Sequence, residues 1–595
     1  MFSEFSPLRS VDEMTIDLSG DALAMGELSK KAHNKPPENP PFTLYSFMLT
    51  LTACIGGILF GYNTGIMSGV MLFYDVSFPG MTHMWTQIIV AVTPGAAIFS
   101  SLLAGPLADR FGRRPVIIKT SIVFATGSIV CALAPAKFVL LIGRAILGLA
   151  IGFASTVIPV YISEAAPLHI RGTLVTIYQF LITFGFVLAN AVAASLAHMR
   201  DLDLAWRLMF AVALAPALIQ VIGFLFLDDT PRYLIRRGKK DAAEVVLRKI
   251  YGGHDEWVKY DMDCIAAMDN EKEEVNEEHA DLSVFSRINR TPSVRRSVLI
   301  GASLQMFQQF AAINCILYYT SLIIKSAGVT DNITNLWIGC GISAVQTVVT
   351  FVPMWSLEKL GRRLTLLLSC IGCIFCLVLM GLAFTVINQT STPTTNFGLP
   401  SVSNDNLALC NSQKNCDWCV TQRECGFCHS KGSETGGYCL PASAQNETYS
   451  AVGQCSVAST TNYDFSHTCY TKYTTLPIVI MILYLLSFGF GLGPVPWVLN
   501  AEIYPLWARS TCVSISTATN WSFNLLISMT FLSLSNMLGK HGAFFVYAGI
   551  STVGLMIFYF FVPETKGLSI EEIVELFKRP SDNQERRPTA RSAAS

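Results

Sequence analysis

The stretch "ADRFGRR", Ala108 to Arg114, occurs a second time as "LEKLGRR", Leu357 to Arg363. In both copies a carboxylate, Asp109 or Glu358, precedes Gly-Arg-Arg at the same spacing. Each copy directly follows a long apolar run, and the two copies lie 249 residues apart. A charged motif that recurs after equivalent apolar runs indicates that the chain consists of two related halves.

A second pair of stretches supports the same division. "EAAPLHIR", Glu164 to Arg171, and "EIYPLWAR", Glu502 to Arg509, keep a carboxylate, a proline and an arginine at spacings of three and four. These copies lie 338 residues apart, so the offset grows by 89 residues between the two pairs. That growth is close to the length of the polar segment 388–474, which we interpret as an insertion into the second half.

The composition identifies the class of protein. Half of the 595 residues are hydrophobic (51%) and only 14% are charged, against roughly 25% in soluble proteins. A helix that crosses a bilayer needs about 20 apolar residues, and the helices of a soluble core would carry polar faces that these runs lack. We therefore predict an all-α membrane protein with twelve transmembrane helices in two six-helix halves. The twelve runs are 42–70, 86–108, 116–136, 138–162, 173–197, 206–227, 298–324, 333–357, 364–387, 475–501, 510–537 and 543–563.

The distribution of charge predicts the topology. Clusters of Arg and Lys fall in every second connection, and the positive-inside rule places these connections and both termini in the cytosol. The first 41 residues lack a basic region followed by a short apolar core, which argues against a cleaved signal peptide. The predicted division is a cytosolic tail 1–41, a first half 42–228, a cytosolic loop 229–297, a second half 298–387 and 475–563, an extracellular insert 388–474, and a cytosolic tail 564–595.

The insert is rich in cysteine. The spacings of Cys416 and Cys419 and of Cys425 and Cys428 fit zinc ligands, but eight cysteines in an exterior loop favour four disulfides. We expect glycosylation at Asn332, Asn388 and Asn446, which lie in outer sequons, and none at the sequons of Asn289 and Asn520. The eight cysteines are Cys410, Cys416, Cys419, Cys425, Cys428, Cys439, Cys455 and Cys469.

The repeated acid and arginine residues at the cytosolic helix ends are predicted to form a gate. Taken singly, each Arg-Arg pair is a positive-inside anchor. Its recurrence with a carboxylate at fixed spacing instead favours a two-state gate, in which ion pairs lock the two halves together on one side of the membrane and break when the halves move. The predicted gate consists of Asp109, Arg113, Arg114, Glu164, Arg171, Glu358, Arg362, Arg363, Glu502 and Arg509.

The motifs together resemble the sugar-porter branch of the major facilitator superfamily, over residues 45–580 without the insert. They are "ADRFGRR", "GRAILGLAIGFAS", "PVYISEAAP", "DTPRYL", "QMFQQFAAIN", "EKLGRR", "GPVPW", "NWSFN" and "PETKG". Within the branch, "VLNAEIYPLWARSTC" and the insert look most like the proton/myo-inositol cotransporters, in which the insert is similar to a plexin–semaphorin–integrin cysteine module. The resemblance implies the major facilitator fold.

The resemblance also implies a substrate site built from amides. Amide side chains offer both donors and acceptors, which suits a neutral polyol, although polar residues in membrane bundles also simply hold helices together. Glycine and proline in "GPVPW" predict a bend in span ten. At Ala312 the family pattern usually has Gly, which leaves the identity of the substrate open. The implied site residues are Gln179, Gln308, Gln309, Asn314, Gln346, Trp497, Asn520 and Asn524.

The energy source depends on span one. In proton-driven relatives an Asp in a "GYDTG"-like stretch pairs with an Arg on span four, and protonation releases the Arg. Here the Arg is present as Arg144, but its partner position is Asn63, whose amide is expected to hydrogen-bond Arg144 but cannot titrate. The span interiors contain no Asp, Glu or His. Because intramembrane acids are the usual parts of proton relays, the residues favour facilitated diffusion or exchange, whereas the resemblance favours proton symport.

We therefore predict a membrane transporter that moves a neutral polyol or monosaccharide, with myo-inositol as the first candidate, by alternating access. Two other functions stay open at this point. A hexose carrier would use the same machinery. A non-transporting solute sensor is suggested by the cysteine-rich insert, the acidic segment Asp269 to Asp281 and the C-terminal tail, but the complete repeated gate motifs and the complete set of amides weigh against it. The chain has no nucleophile motif, P-loop or dinucleotide fingerprint, so we expect no enzyme. We also expect no cofactor, metal or nucleic-acid partner. The expected partners are the substrate, the bilayer, protons if transport is coupled, and an extracellular protein on the insert; the expected location is the plasma membrane.

Overall fold

The computed structural model describes most of the chain. The described residues are 36, 40, 43–74, 77–78, 81, 83–167, 171–265, 284–329, 331–395, 405–422, 424–430, 436–443, 449–456, 462–505, 507–566, 568 and 570–578. The acidic segment Asp269 to Asp281 and the predicted glycosylation site Asn446 lie outside them.

The first half consists of six helical spans. Spans one to five are single helices, and span six has two pieces. Their bounds are Leu44–Val70, His83–Phe111, Arg113–Ala132, Lys137–Ala165, Arg171–Leu196, and Leu202–Ala211 with Leu214–Phe226. The connection to the second half contains the short helices Pro231–Arg236, Lys240–Ile250 and Val284–Arg290 and the helical residues 255–265.

The second half repeats the pattern with more broken helices. Span seven comprises Pro292–Phe310, Ile313–Tyr318 and Thr320–Ser326, span eight comprises Asn332–Val349 and Val352–Lys359, and span nine is Arg362–Thr390. Span ten comprises Thr475–Ser487, the π-helical residues Phe488–Leu492 and Val495–Glu502. Spans eleven and twelve lie in Arg509–Phe561, and the helix Ile570–Leu576 follows them.

The twelve predicted spans each correspond to helical segments. Nine described helices are long and apolar enough to cross a membrane, and a tenth is added if span seven, bent by 73°, is counted as one. The 53-residue helix Arg509–Phe561 contains the non-helical residue Gly539 (φ 75°, ψ 163°), which separates span eleven from span twelve. Span eight is interrupted at Thr350 and Phe351, which separate its two helices.

Close approach of spans one and five requires glycine. A Cβ on Gly185 would lie 2.6 Å from the carbonyl oxygen of Ile58 and 3.0 Å from the Cα of Gly61. Because neither glycine carries a side chain, the two helix backbones come into direct contact. This contact helps to hold the first half together as one body.

The two halves meet through neutral polar side chains. Ser68 of span one lies 2.9 Å from Ser321 of span seven, oxygen to oxygen. Asn190 Nδ2 of span five donates to Ser343 Oγ of span eight at 3.0 Å. Spans two and eleven also pack along each other, and Gln87 Nε2 donates to Ser533 Oγ at 3.2 Å. In the predicted topology these hydrogen bonds lie in the outer part of the bundle.

The insert is a small disulfide-bonded unit that also contains a three-stranded sheet. Strands β1 (Cys425–Ser430), β2 (Tyr438–Pro441) and β3 (Tyr463–Ser466) pair antiparallel in the order β2-β1-β3. All eight predicted cysteines form disulfides, so their thiols are not available to zinc. The pairs are Cys410–Cys425, Cys416–Cys469, Cys419–Cys439 and Cys428–Cys455.

A buried carboxylate attaches the insert to the second half. Asp417 is only 4% exposed, and its Oδ1 lies 2.8 Å from Lys540 Nζ in the turn between spans eleven and twelve. Its Oδ2 accepts from Asn388 Nδ2 at the end of span nine (2.9 Å). Burial alone would raise the pKa of Asp417, but Lys540 and Asn388 outweigh it and hold that pKa below its usual value. The insert is therefore fixed on span nine and on the turn between spans eleven and twelve.

This attachment changes the interpretation of one sequon. Asn388 is part of the span-nine helix, and its Nδ2, the atom that would carry a glycan, points at the buried Asp417. The predicted glycosylation of Asn388 does not fit this geometry. Asn332 lies in the first turn of span eight, where Asp331 caps the helix by accepting from the main-chain N–H of Thr334, and its glycosylation stays a prediction.

Candidate functional site

Amide side chains of spans seven and eleven form one network inside the second half. Asn520 Nδ2 donates to Gln308 Oε1 at 2.8 Å and to Gln305 Oε1 at 2.7 Å. Its Oδ1 accepts from Gln309 Nε2 at 3.0 Å. Gln308 Nε2 donates to the main-chain carbonyl of Gly493 in the broken part of span ten (2.7 Å). These four amide side chains are buried, so the network links spans seven, ten and eleven.

Two further predicted amides continue this network. Asn314 Nδ2 donates to Gln309 Oε1 at 2.5 Å, and Asn524 Nδ2 donates to Tyr318 Oη at 3.4 Å. Gln305 and Tyr318 were not predicted. Gln305 lies one helical turn before the Gln-Gln pair, on the same face of span seven, so the helical period could have identified it.

The remaining predicted site residues leave polar atoms unpaired. Among the described residues, the side chains of Gln179 and Trp497 make no hydrogen bond, and the buried Oε1 of Gln346 has no partner. Trp521 was not predicted, although it lies in "NWSFN". It is 4% exposed, and its Nε1 has no hydrogen-bond partner among the described residues. Its ring lies 5.8 Å from that of Phe60 on span one. Unpaired buried donors and acceptors are what a ligand rich in hydroxyl groups would satisfy.

The pairing of spans one and four differs from the expected one. Arg144 Nη1 donates to the main-chain carbonyl of Asn63 at 3.0 Å, not to its side chain. The side-chain Nδ2 of Asn63 donates to the carbonyl of Leu59 (2.9 Å) instead. Asn63 and Arg144 are 0% and 1% exposed, and Asn63 Oδ1 and Arg144 Nε have no partner among the described residues. The buried guanidinium therefore binds backbone rather than a carboxylate.

At the predicted cytosolic end of the first half, Arg113 is the centre of an ion-pair network. Its Nη2 donates to Asp109 Oδ1 at 2.8 Å and to Glu164 Oε1 at 3.1 Å. Glu164 Oε2 also accepts from Thr230 Oγ1 (2.7 Å), and Asp229 Oδ1 accepts from the main-chain N–H of Arg113 (3.1 Å). Spans two, three and four and the start of the connection after span six are thus held together around one buried arginine.

The second half repeats this arrangement. Arg362 Nη2 donates to Glu502 Oε1 at 2.9 Å, and Glu502 Oε2 accepts from Thr565 Oγ1 at 2.7 Å. Glu564 Oε1 accepts from the main-chain N–H of Arg362 at 2.8 Å. In this conformation each ion pair joins helices of one half. We predicted that these ion pairs lock the two halves together. In this conformation they do not, because both partners of each pair belong to the same half.

Several predicted gate residues have other contacts. The guanidinium groups of Arg114 and Arg363 donate to main-chain carbonyls at the ends of spans six and twelve. Arg509 Nη2 donates to a main-chain carbonyl before span eleven (3.4 Å). Glu358 is exposed and makes no ion pair within the described residues. The side chain of Arg171 lies outside the described ones.

The capping carboxylates of the two networks were missed by the sequence reasoning. Asp229 with Thr230, and Glu564 with Thr565, follow spans six and twelve, and the two pairs lie 335 residues apart. That offset is close to the 338 residues between the second pair of repeated stretches, and it could have identified them. Burial raises the pKa of Asp229 above its usual value, although the N–H groups of Thr230 and of the two arginines oppose this rise.

The fold defines the class of protein. The structure matches the proton:xylose symporter XylE of the major facilitator superfamily, from E. coli, with a TM-score of 0.66 at 24% identity over 90% of this chain and 99% of that one. This likeness shows the fold alone, which is the major facilitator fold.

The sequence defines the family. The model of the "Sugar (and other) transporter" family matches residues 49–399 and 450–577, and the chain belongs to this family. It is 43% identical over 581 residues to the proton myo-inositol cotransporter hmit-1.1 of Caenorhabditis elegans, covering 95% of both chains. It is 37% identical to the human proton myo-inositol cotransporter, covering 93% of this chain and 85% of that one.

Proposed function

We propose that this protein carries myo-inositol across the membrane by alternating access and without proton coupling. The observation that carries the proposal is the pairing of Arg144 with the carbonyl of Asn63, where proton-driven relatives place an acid. The protein is proposed to lie in the plasma membrane, with both termini in the cytosol and the insert outside the cell.

The chemistry of the interior supports a neutral polyol as the substrate. The network of Gln305, Gln308, Gln309 and Asn520 contains amides only, and the described side chains around it supply no carboxylate. Each amide can donate to one hydroxyl group and accept from another, and the unpaired Nε1 of Trp521 adds a donor. Relatives named as myo-inositol cotransporters are 43% and 37% identical to this chain over the aligned residues.

The absence of Asp, Glu and His from the span interiors supports facilitated diffusion. A proton-coupled carrier must bind and release a proton during its cycle, and intramembrane carboxylates usually do so. The twelve runs contain no Asp, Glu or His in their interiors, and the side-chain amide of Asn63 does not titrate. The names of the relatives favour the second candidate, a proton/myo-inositol symporter.

The insert is proposed as a rigid extension of the second half that can present a surface to an extracellular protein. Four disulfides and the buried pair of Asp417 and Lys540 support this role. Because it is attached to spans nine, eleven and twelve, the insert would move with the second half.

Uptake into proteoliposomes tests substrate and coupling together. We expect labelled myo-inositol to enter, to reach the external concentration and no more, and to be competed by unlabelled myo-inositol more strongly than by glucose. An inward proton gradient should leave the final level unchanged. Accumulation above the external concentration would establish the symporter instead, preferential uptake of glucose would establish a hexose carrier, and binding without uptake would establish a sensor.

A further inference from the structure

The backbone of span seven has an unusual conformation at Ala312. Its φ is 68° and its ψ is 19°, and it is the one non-glycine residue with positive φ among the described residues. For an alanine this left-handed conformation is unfavourable, because Cβ comes too close to the following carbonyl oxygen. Ala312 is completely buried, so neither solvent nor a chain end explains its geometry.

The break at Ala312 brings two site residues together. In a regular helix, residues five apart are separated by about 140° around the axis and about 7.5 Å along it, too far for a side-chain hydrogen bond. Gln309 and Asn314 are five apart, and yet Asn314 Nδ2 lies 2.5 Å from Gln309 Oε1. Their contact therefore depends on the left-handed residue between them.

Span ten stabilises the same break. Tyr484 Oη donates to the carbonyl of Ala311 at 2.5 Å, and Ala312 N donates to the carbonyl of Gln309 at 2.8 Å, a tight turn in place of a helical bond. Tyr484 is 1% exposed. The surrounding structure thus holds Ala312 in a conformation that its own side chain disfavours, which is the situation in which strain is retained at functional sites.

We propose that Ala312 is a positioning residue whose left-handed backbone holds Gln309 and Asn314 together as a substrate-binding pair, and that its strain is released when span seven changes conformation in the transport cycle. Compared with a glycine at position 312, the alanine therefore destabilises the substrate-bound conformation. The inference rests on the proposed carrier function.

The chain offers a matched pair of variants. Ala312→Gly removes the left-handed penalty, whereas Ala311→Gly changes a neighbour that is equally buried but right-handed (φ −64°, ψ 0°). We expect Ala312→Gly to lower the Kd for myo-inositol about five- to thirtyfold, which is the left-handed penalty of about 1–2 kcal/mol converted at 1.4 kcal/mol per tenfold. The maximal transport rate should fall, because the bound conformation becomes harder to leave. Ala311→Gly should show neither change.

The measurements are equilibrium binding, transport rate and thermal melting of the full chain in nanodiscs. A rise in melting temperature without a change in Kd would make the strain purely structural and overturn the inference, as would equal shifts of Kd in the two variants. If wild type binds neither myo-inositol nor glucose, the proposed function fails instead. Ligand-free hydrogen exchange of residues 305–318 then still decides the inference: it should be slower in Ala312→Gly than in wild type and Ala311→Gly, and equal exchange overturns it.

Discussion

Replacement of Asn63 by Asp should convert the carrier into a proton-coupled one. The substitution puts a carboxylate beside the guanidinium of Arg144, whose Nη1 is 3.0 Å from the main-chain oxygen of the same residue. Two unit charges about 4 Å apart attract by about 4 kcal/mol at an effective dielectric constant of about 20. Removing the carboxylate from water opposes ionisation by several kcal/mol. Since the two terms are of similar size, the new carboxylate can both bind and release a proton.

The expected gain is set by thermodynamics. A carrier that moves one proton with each substrate can accumulate the substrate about tenfold per unit of pH gradient, because one unit corresponds to 1.36 kcal/mol. Wild type should reach a ratio of inside to outside concentration of about one at every gradient, because the amide of Asn63 does not titrate and the span interiors contain no Asp, Glu or His. The variant should approach the tenfold ratio, and substrate should evoke an inward current that grows as the external medium is acidified.

The assay compares uptake and current of wild type, Asn63→Asp and Asn63→Ser in the same membrane. The serine variant is the control, because it removes the amide without adding a titratable group and should stay insensitive to pH. A substrate-evoked current in wild type that grows on acidification would refute the reasoning outright. A folded and transporting Asn63→Asp protein without current or accumulation would show that a carboxylate at this position does not suffice for coupling.

The ion pairs make two further predictions. Arg113→Ala should lower stability by about 3–5 kcal/mol, as for a buried pair that loses one partner, whereas Arg362→Ala should lose about 1.5–3 kcal/mol. The reason is that the Arg113–Glu164 side chains are 5% and 11% exposed and the Arg362–Glu502 ones 23% and 24%; equal losses in thermal melts would contradict it. Asp417→Asn should lower stability by about 3–5 kcal/mol, because Lys540 stays buried without its partner. Because the pKa of Asp417 is held low, the ionised carboxylate contributes its full stabilisation of the fold above about pH 4. This stabilisation is lost as the pH falls through the lowered pKa. The melting temperatures of wild type and variant should therefore converge in acid.

The spans, the halves and the disulfide-bonded insert were predictable because each depends on a property of the sequence itself. A membrane span requires a long apolar run whatever it packs against, and a duplicated half retains its charged motifs at a constant offset. The cysteines of a small exterior segment have few partners other than one another. Their pairing could not be predicted, because it depends on which strands of the insert lie side by side.

The exact contacts of the polar residues were not predictable in the same way. The side chain of Asn63 was expected to bind Arg144, but an asparagine in a helix also has its own backbone as a partner, and its Nδ2 binds the carbonyl of Leu59, four residues earlier. The carboxylates of Asp229 and Glu564 were missed because they bind backbone N–H groups, and such bonds leave no pattern of paired charges in the sequence. The role of Asn388 depends on Asp417, which is near it only in the folded insert.

These contacts indicate where movement can occur. If span one carried an acid at this position, its protonation would release Arg144 and loosen spans one and four, but a main-chain carbonyl cannot be protonated at physiological pH. The bond between Arg144 and Asn63 therefore persists, and breaking it would leave a buried cation without a partner, at a cost of several kcal/mol. Under the proposed carrier function, we expect spans one and four to move as one body and the broken helices of the second half, spans seven, eight and ten, to change shape. The break of span ten contacts the amide network, because Gln308 Nε2 donates to the carbonyl of Gly493, and the break of span seven at Ala312 lies four residues after Gln308. Substrate bound to this network would then act on the helices that move.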